Sequence, residues 1–200
     1  MPRPFTEQER ATIRARLLER SQRLFETRGL RKTSIDEIAR EAGISKGAFY
    51  QFFDSKETLC LELLETIESK LRAGVLEQAV GGGRGAKARV ARILEGFLNS
   101  WGEYPLLRNF DKADYDYLVR RLPPEQAQAH MAGDLAFIEA FTAKLKKDGI
   151  RPKVSPTIVV NLIRSLFLLS LHRAELSEGY EETIAIMIDL IAGRITGAPK

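Results

Sequence analysis

Two helix start signals lie eleven residues apart, at Ser34 and Ser45, and a glycine separates them. Ser34 is followed three residues later by Glu37, which fits a capping box in which each side chain bonds to the other's backbone. Gly43 can adopt the positive φ that ends a helix, and Ser45 is a good N-cap for the next one. Each cap stabilises its helix by about 1 kcal/mol. This spacing predicts two short helices joined by a tight turn, a helix-turn-helix.

Elsewhere the chain shows apolar residues at helical spacing and almost no alternating β-branched pattern, so we expect an all-α protein. A first helix is predicted at 7–28, and the helix that starts after Ser45 is expected to reach Asp54. Glycine and proline breaks separate the later helices, which are expected at about 56–79, 86–102, 106–121, 124–148, 155–175 and 180–195. The pattern gives about nine helices in total.

The predicted third helix is unusually rich in aromatic residues. Phe49, Tyr50, Phe52 and Phe53 fall within five positions, although the whole chain has only 10 Phe, 5 Tyr and 1 Trp. On a wheel of about 100° per residue, the three phenylalanines share one face and are expected to anchor the helix. The residues that point the other way or lie at the edge are Lys46, Gly47, Tyr50 and Gln51.

These outward residues suit a nucleic acid. Gln51 can contact adenine in a bidentate manner, and the Tyr50 hydroxyl can donate to a phosphate. Lys46 and Lys56 can neutralise phosphates. The helix N-termini at Ser34 and Ser45 offer backbone N–H groups to the same anions.

The charge distribution agrees with a polyanionic partner for the N-terminal part. Residues 1–56 contain 12 Lys and Arg against 8 Asp and Glu, whereas residues 57–200 contain 19 of each, so the whole net charge of +4 lies in the first quarter. An uneven surface without functional meaning is the alternative. The absence of an apolar leader or membrane-length segment and the single cysteine, Cys60, lead us to expect a cytoplasmic protein.

From Arg10 to about Leu64 the chain resembles the DNA-binding domain of TetR-type (tetracycline repressor-like) transcriptional regulators. The matching segments are Thr33–Ala39, Ala42–Gly47, Phe49–Tyr50, Phe53 and Ser55–Leu59. The resemblance implies that Ser34, Tyr50 and Lys56 contact phosphates, and that Lys46, Gly47, Ala48 and Gln51 approach bases. One position departs: many relatives carry histidine or another polar residue where this chain has Phe52.

The resemblance also implies the organisation of the whole protein. We expect a helix-turn-helix DNA-binding domain at 1–55 (about 8–68 in family terms) and a helical ligand-binding and dimerisation domain at 56–200. The expected function is a ligand-responsive repressor that a small molecule releases from a palindromic operator. The alternative is a helical small-molecule-binding or protein-interaction module that kept the fold without binding DNA.

The C-terminal part allows two sets of candidate residues. The penultimate helix is apolar nearly all round, which fits packing on a partner subunit or burial within one bundle. The candidate dimer residues are Ile158, Leu162, Leu166, Leu169, Ile184, Met187, Ile188 and Ile191. The candidate ligand-pocket residues, for each of which ordinary core is the alternative, are Phe97, Trp101, Tyr104, Phe110, Tyr117, His130, Phe137 and Phe141.

Neither an enzyme nor a cofactor site is expected. The sequence contains no convergent Ser/His/Asp, Cys/His or metal-ligand set. His130 and His172 are interpreted as lacking metal-ligand neighbours at helical spacing. Cys60 is expected to be buried, with a thiol sensor as the less favoured alternative.

Overall fold

A computed structural model describes residues 5–78, 85–176 and 178–197, and all regular structure within them is helical. The helices are α1 Glu7–Arg28, α2 Ile35–Glu41, α3 Lys46–Phe49, α4 Lys56–Gln78, α5 Ala86–Glu103, α6 Pro105–Arg108, α7 Lys112–Val119, α8 Pro124–Lys147, α9 Pro156–Leu171, α10 Arg173–Leu176 and α11 Tyr180–Thr196. The predicted all-α class is confirmed, with eleven helices in the described ranges instead of about nine. None of these helices has the combination of length and apolar character needed to cross a bilayer.

The chain divides into two compact units, each made of two stretches of sequence. The first unit consists of the described residues up to Ile67 together with Pro105–Leu122. The second unit consists of Glu68–Tyr104 and the described residues from Pro123 onward. The helix α4 therefore begins in the first unit and ends in the second, and α6 and α7 belong with the N-terminal helices.

The first unit packs α1, α2, α3 and α6 around an apolar core. Leu17, Ile38, Phe49 and Leu59 are fully buried in this unit. Capping boxes start both α1, at Thr6 and Glu9, and α2. The capping boxes therefore fix where α1 and α2 begin, and the apolar core packs these helices together.

The second unit is built on the packing of α11 against α5 and of α8 against α9. Its most completely buried side chains include Val90, Leu145, Val159, Leu166 and Ile195. At the N-terminus of α9, Ser155 accepts a hydrogen bond from the backbone N–H of Ile158.

Two predicted helices are divided in the structure. The expected helix at 106–121 is split into α6 and α7, because the Asp111 side chain accepts from the Asp114 N–H and starts a new helix. The expected helix at 155–175 ends at Leu171, and α10 follows after His172. Sequence periodicity missed both breaks because neither contains glycine or proline.

Most of the apolar stripe predicted to face a partner is turned toward the protein's own core. Leu166, Ile184, Ile188 and Ile191 are buried within the second unit, and Met187 packs against the same core. Periodicity identified an apolar face correctly but did not distinguish an internal neighbour from a second subunit. The exposed large apolar side chains of α9 and α11 are Ile158, Leu168, Ile186 and Leu190.

Candidate nucleic-acid interface

The turn between α2 and α3 has the hydrogen bonds of a Schellman motif. With Ala42 as C-cap, the N–H of Gly43 donates to the Arg40 carbonyl at 3.1 Å and that of Ile44 donates to the Ala39 carbonyl at 2.9 Å. Gly43 has a φ of +70°, in the left-handed region that favours glycine. The predicted helix-turn-helix is therefore confirmed, with its turn fixed by the predicted glycine.

The helix that follows the turn is shorter than predicted. Ser45 accepts from the Ala48 N–H at 3.1 Å and starts α3, which ends at Phe49 instead of continuing to Asp54. The chain then forms a tight turn in which the N–H of Gln51 donates to the Ala48 carbonyl at 3.1 Å. A single helical turn cannot stabilise itself in water, so its orientation depends on the side chains that anchor it.

Two of the three predicted aromatic anchors are fully in the core. Phe49 is 0% exposed and Phe53 is 4% exposed, with their ring centroids 6.1 Å apart. Phe52 is only partly buried; its ring centroid lies 5.9 Å from that of Phe5, and the Arg10 guanidinium carbon lies 4.8 Å from the ring. The wheel placed Phe52 with the anchors because it assumed a regular helix beyond Phe49.

The residues opposite the anchors are solvent-facing. Tyr50 is 49% exposed, although its ring packs edge-on against Phe49 at 5.6 Å. The side chains of Ser45, Lys46 and Gln51 are also exposed, and so is Gly47; Ala48 is partly buried. The structure thus brings the predicted contact residues of α3 and its following turn together on one accessible edge.

Polar groups of the interface already have partners within the protein. The Lys46 ammonium donates to Asp36 at 2.7 Å, and this bond raises the pKa of Lys46. The Ser34 hydroxyl accepts from the Glu37 N–H at 3.2 Å and also donates to the Glu37 carboxylate at 2.9 Å. Binding to an anion would leave the serine caps in place but would compete with Asp36 for Lys46.

Lys56, a predicted phosphate contact, lies at the N-terminus of α4 and is directed toward backbone oxygens. Its ammonium donates to the carbonyls of Leu30 at 2.8 Å, Thr33 at 2.7 Å and Arg31 at 3.3 Å. Burial lowers the pKa of Lys56, and the nearby Glu57 carboxylate opposes this shift. These three bonds use all three donors of the ammonium, so Lys56 connects α4 to the loop before α2.

The predicted ligand-pocket residues are distributed over both units. Phe110 and Tyr117 belong to the first unit, and the other six belong to the second. Two cations lie near the Tyr117 ring, with the Arg121 guanidinium carbon at 3.9 Å and the Lys56 ammonium at 5.2 Å from its centroid. Tyr117 therefore has a packing role in the first unit.

In the second unit, Trp101 is the centre of an aromatic group. Its ring centroid lies 4.4 Å from that of Phe167 and 5.9 Å from that of Phe97. The indole Nε1 is buried and has no hydrogen-bond acceptor among the described residues. A buried donor of this kind can bind the acceptor of a ligand.

Sequence reasoning missed a polar cluster in the second unit. His130 and Asp134 are four residues apart on α8, and His172 and Glu175 are three residues apart, so the interpretation that these histidines lack metal-ligand neighbours at helical spacing is wrong. The structure also brings Glu68 of α4 to the α8 pair. The spacing of the α8 pair was visible in the sequence, whereas its proximity to α4 required the fold.

Comparisons with known proteins agree with this description of the N-terminal helices. Residues 17–63 match the sequence model of a family described as bacterial regulatory proteins, tetR family. The HTH-type transcriptional regulator EthR of Mycolicibacterium smegmatis is 33% identical over 91 residues, which are 46% of this chain and 42% of the relative. The HTH-type transcriptional repressor KstR2 of Rhodococcus jostii is 36% identical over 81 residues, which are 40% of this chain and 39% of the relative. The chain thus spans less than half the length of these relatives.

Solved structures match over nearly the full length. Thermus thermophilus FadR, a TetR-family transcriptional repressor in complex with lauroyl-CoA, has a TM-score of 0.67 and 22% identity, covering 90% of this chain and 94% of that chain. A TetR-family transcriptional regulator from Pectobacterium atrosepticum has a TM-score of 0.64 and 20% identity, covering 98% and 100%. At these identities the likeness concerns the fold. Residues 17–63 thus match the helix-turn-helix sequence of the tetR family of bacterial regulatory proteins, and the chain's helical fold resembles that of TetR-family structures.

Proposed function

We propose that the protein is a ligand-responsive, sequence-specific DNA-binding transcriptional regulator, most simply a repressor. The observation that carries the proposal is the exposed edge of Lys46, Gly47, Tyr50 and Gln51 beside a turn and caps that hold α3 in place. The second helix of a helix-turn-helix, held in this way, presents base-reading and phosphate-binding groups to the major groove. We also propose a cytoplasmic location for the protein.

The DNA contacts follow from the chemistry of the exposed side chains. The Gln51 amide reads adenine, the Tyr50 hydroxyl donates to a phosphate, and Gly47 allows close approach of the backbone. Lys46 neutralises a phosphate after it leaves Asp36. Ser34 and Ser45 keep their caps while the adjacent backbone N–H groups face the DNA, and Lys56 acts mainly by positioning α4.

Binding to the DNA upstream of the protein's own gene, measured by fluorescence anisotropy at several salt concentrations, tests this proposal. We expect specific binding that weakens as salt rises, because phosphate contacts release counterions. Gln51→Ala combined with Tyr50→Phe should weaken specific binding by at least about tenfold, if each lost contact costs ~1 kcal/mol. Gln128→Ala, an exposed glutamine on α8, is the matched control. Absence of a specific complex, or an affinity independent of salt, would favour the protein-interaction alternative.

The proposal includes a homodimer with a palindromic operator. Ile186 and Leu190 are 53% and 55% exposed and lie four residues apart on one face of α11. Ile158 is also exposed, whereas Leu162 and Leu169 are partly buried against the core of the second unit. We expect light scattering to give a dimer for the wild type, and Ile186→Glu with Leu190→Glu to give a monomer. Val119→Glu, which changes an equally exposed residue of the first unit, is the control; a monomeric wild type would contradict the dimer.

Ligand response is assigned to the aromatic group around Trp101. The buried Nε1 requires an acceptor, while Phe97 and Phe167 provide apolar surface for the rest of a ligand. Lauroyl-CoA, the ligand in the Thermus thermophilus FadR structure, is a suitable first probe. Since Trp101 is the chain's one tryptophan, its fluorescence reports directly on this region. We expect the effector to change the Trp101 fluorescence and to release the protein from DNA. A ligand that changes the fluorescence without releasing DNA is not the effector.

A further inference from the structure

Five charged or titratable side chains from three helices meet in the second unit. Arg72 of α4 donates to Glu68 at 3.1 Å and to Asp134 of α8 at 2.5 Å. Arg164 of α9 donates to the other Asp134 oxygen at 3.1 Å. His130 Nε2 lies 3.9 Å from a Glu68 oxygen. All five side chains are partly buried, between 15% and 30% exposed.

Three members of this cluster are arranged as metal ligands. One oxygen from each of Glu68 and Asp134 and one ring nitrogen of His130 all lie within 4.8 Å of one another. Because His130 and Asp134 are four residues apart, α8 presents both on one face, and Glu68 approaches from α4. Two ligands of an ion at about 2.1 Å are at most ~4.2 Å apart, so small side-chain rotations bring all three into range.

We propose that Glu68, His130 and Asp134 form a binding site for a divalent transition-metal ion. One imidazole and two carboxylates suit Zn²⁺, Co²⁺ or Mn²⁺, since this set of nitrogen and oxygen donors has no soft thiolate. The three partly buried ligands come from two helices, so a bound ion fastens α4 to α8.

Arg72 is the internal competitor for this site. Its guanidinium bridges the two carboxylates that the ion would use, so metal binding exchanges one cation for another. The Phe137 ring, whose centroid is 5.4 Å from the guanidinium carbon, offers Arg72 a cation–π contact on the edge of the cluster. Arg164 keeps Asp134 oriented through its second oxygen. A plain ion-pair network would involve the same contacts but would not bind metal.

Isothermal titration of the full chain with Zn²⁺, together with the visible spectrum of added Co²⁺, tests the site. We expect one ion to bind per chain. We also expect the visible absorption of bound Co²⁺ to show a nitrogen atom among its ligands. His130→Ala should weaken binding by at least about tenfold. His172→Ala is the matched control, because His172 is the chain's other histidine and is paired with Glu175 at 2.9 Å outside this cluster. Wild-type protein that binds no metal, or equal effects of the two substitutions, would overturn the proposal.

Arg72→Met separates the metal site from a structural ion-pair network. If Arg72 competes for the carboxylates, its removal should tighten Zn²⁺ binding severalfold even though it removes two ion pairs. An affinity that is unchanged or weaker in a folded Arg72→Met protein would contradict the exchange of cations. Glu68→Gln and Asp134→Asn keep side-chain shape and should each weaken binding; circular dichroism establishes that every variant is folded.

Discussion

Phe49→Ala should disable DNA binding even though Phe49 touches no solvent. Its ring is 0% exposed and contacts the rings of Tyr50 and Phe53, at 5.6 and 6.1 Å between centroids. Removing a fully buried phenyl ring costs about 3–5 kcal/mol. A small domain has a total stability of roughly 5–15 kcal/mol, so this loss leaves the first unit marginal. Since α3 is a single turn, it loses its orientation before the rest of the unit unfolds.

Phe52→Ala is the paired control because it removes the same ring from a partly buried position in the same segment. Phe52 contacts Phe5 and Arg10 at the surface, so we expect a loss of about 1–2 kcal/mol, below the range for a fully buried ring.

Thermal unfolding followed by circular dichroism, amide hydrogen exchange of residues 35–60, and DNA anisotropy should rank the two variants in the same order. Phe49→Ala should lower the unfolding temperature of the first unit by more than about 10 °C and abolish specific binding at 25 °C. Phe52→Ala should keep measurable specific binding. Equal destabilisation by both substitutions would refute the division into anchor and surface aromatic. Full DNA affinity in Phe49→Ala would refute the argument that packing orients α3.

Three other substitutions test individual contacts. Lys56→Met should lower the free energy of unfolding in urea by about 1–3 kcal/mol, because the carbonyl oxygens of the buried residues Leu30 and Thr33 lose their donor, and unchanged stability would contradict this role. Asp36→Asn should release Lys46 and raise DNA affinity severalfold at low salt, with a smaller gain at high salt, whereas Glu19→Gln on α1 should not. Burial raises the pKa of the Cys60 thiol from 9.0 to about 12, so a thiol reagent at pH 8 should not modify the folded protein. The stabilisation from this raised pKa is complete below pH 9.0 and is lost as pH rises toward 12. The stability of Cys60→Ala should therefore decline less steeply than that of the wild type between these pH values. An equally steep decline would refute this linkage.

The helix-turn-helix could be predicted because its signals are local. Ser34, Gly43 and Ser45 each specify a hydrogen-bonding pattern within five residues, and the structure contains all three patterns. The predicted end of α3 was wrong because the aromatic residues keep helical spacing beyond Phe49, which is the last residue of the helix. Apolar spacing reports which residues can share a face, but it does not show where backbone hydrogen bonding changes.

The second unit was less predictable because the same apolar pattern serves two purposes. A stripe such as Ile184, Ile188 and Ile191 packs against α5 in this fold, and in another fold it could pack against a partner. The choice depends on how many helices the chain places on each side, which is a property of the whole unit. Ile186 and Leu190 lie on the opposite side of α11 and were not among the predicted interface residues, because the prediction used only the stripe that contains Ile184, Ile188 and Ile191.

The polar cluster shows the same limit for chemistry. The pair His130 and Asp134 can be found in the sequence, but a pair at this spacing is common on solvated helix faces and predicts little alone. Glu68 completes the three-residue ligand set, and Arg72 supplies the competing charge; both reach α8 only through folding. The distinguishing quantity is therefore the change in metal affinity on removing Arg72: a metal site gains affinity when its competitor is lost, whereas an ion-pair network loses stability and gains nothing.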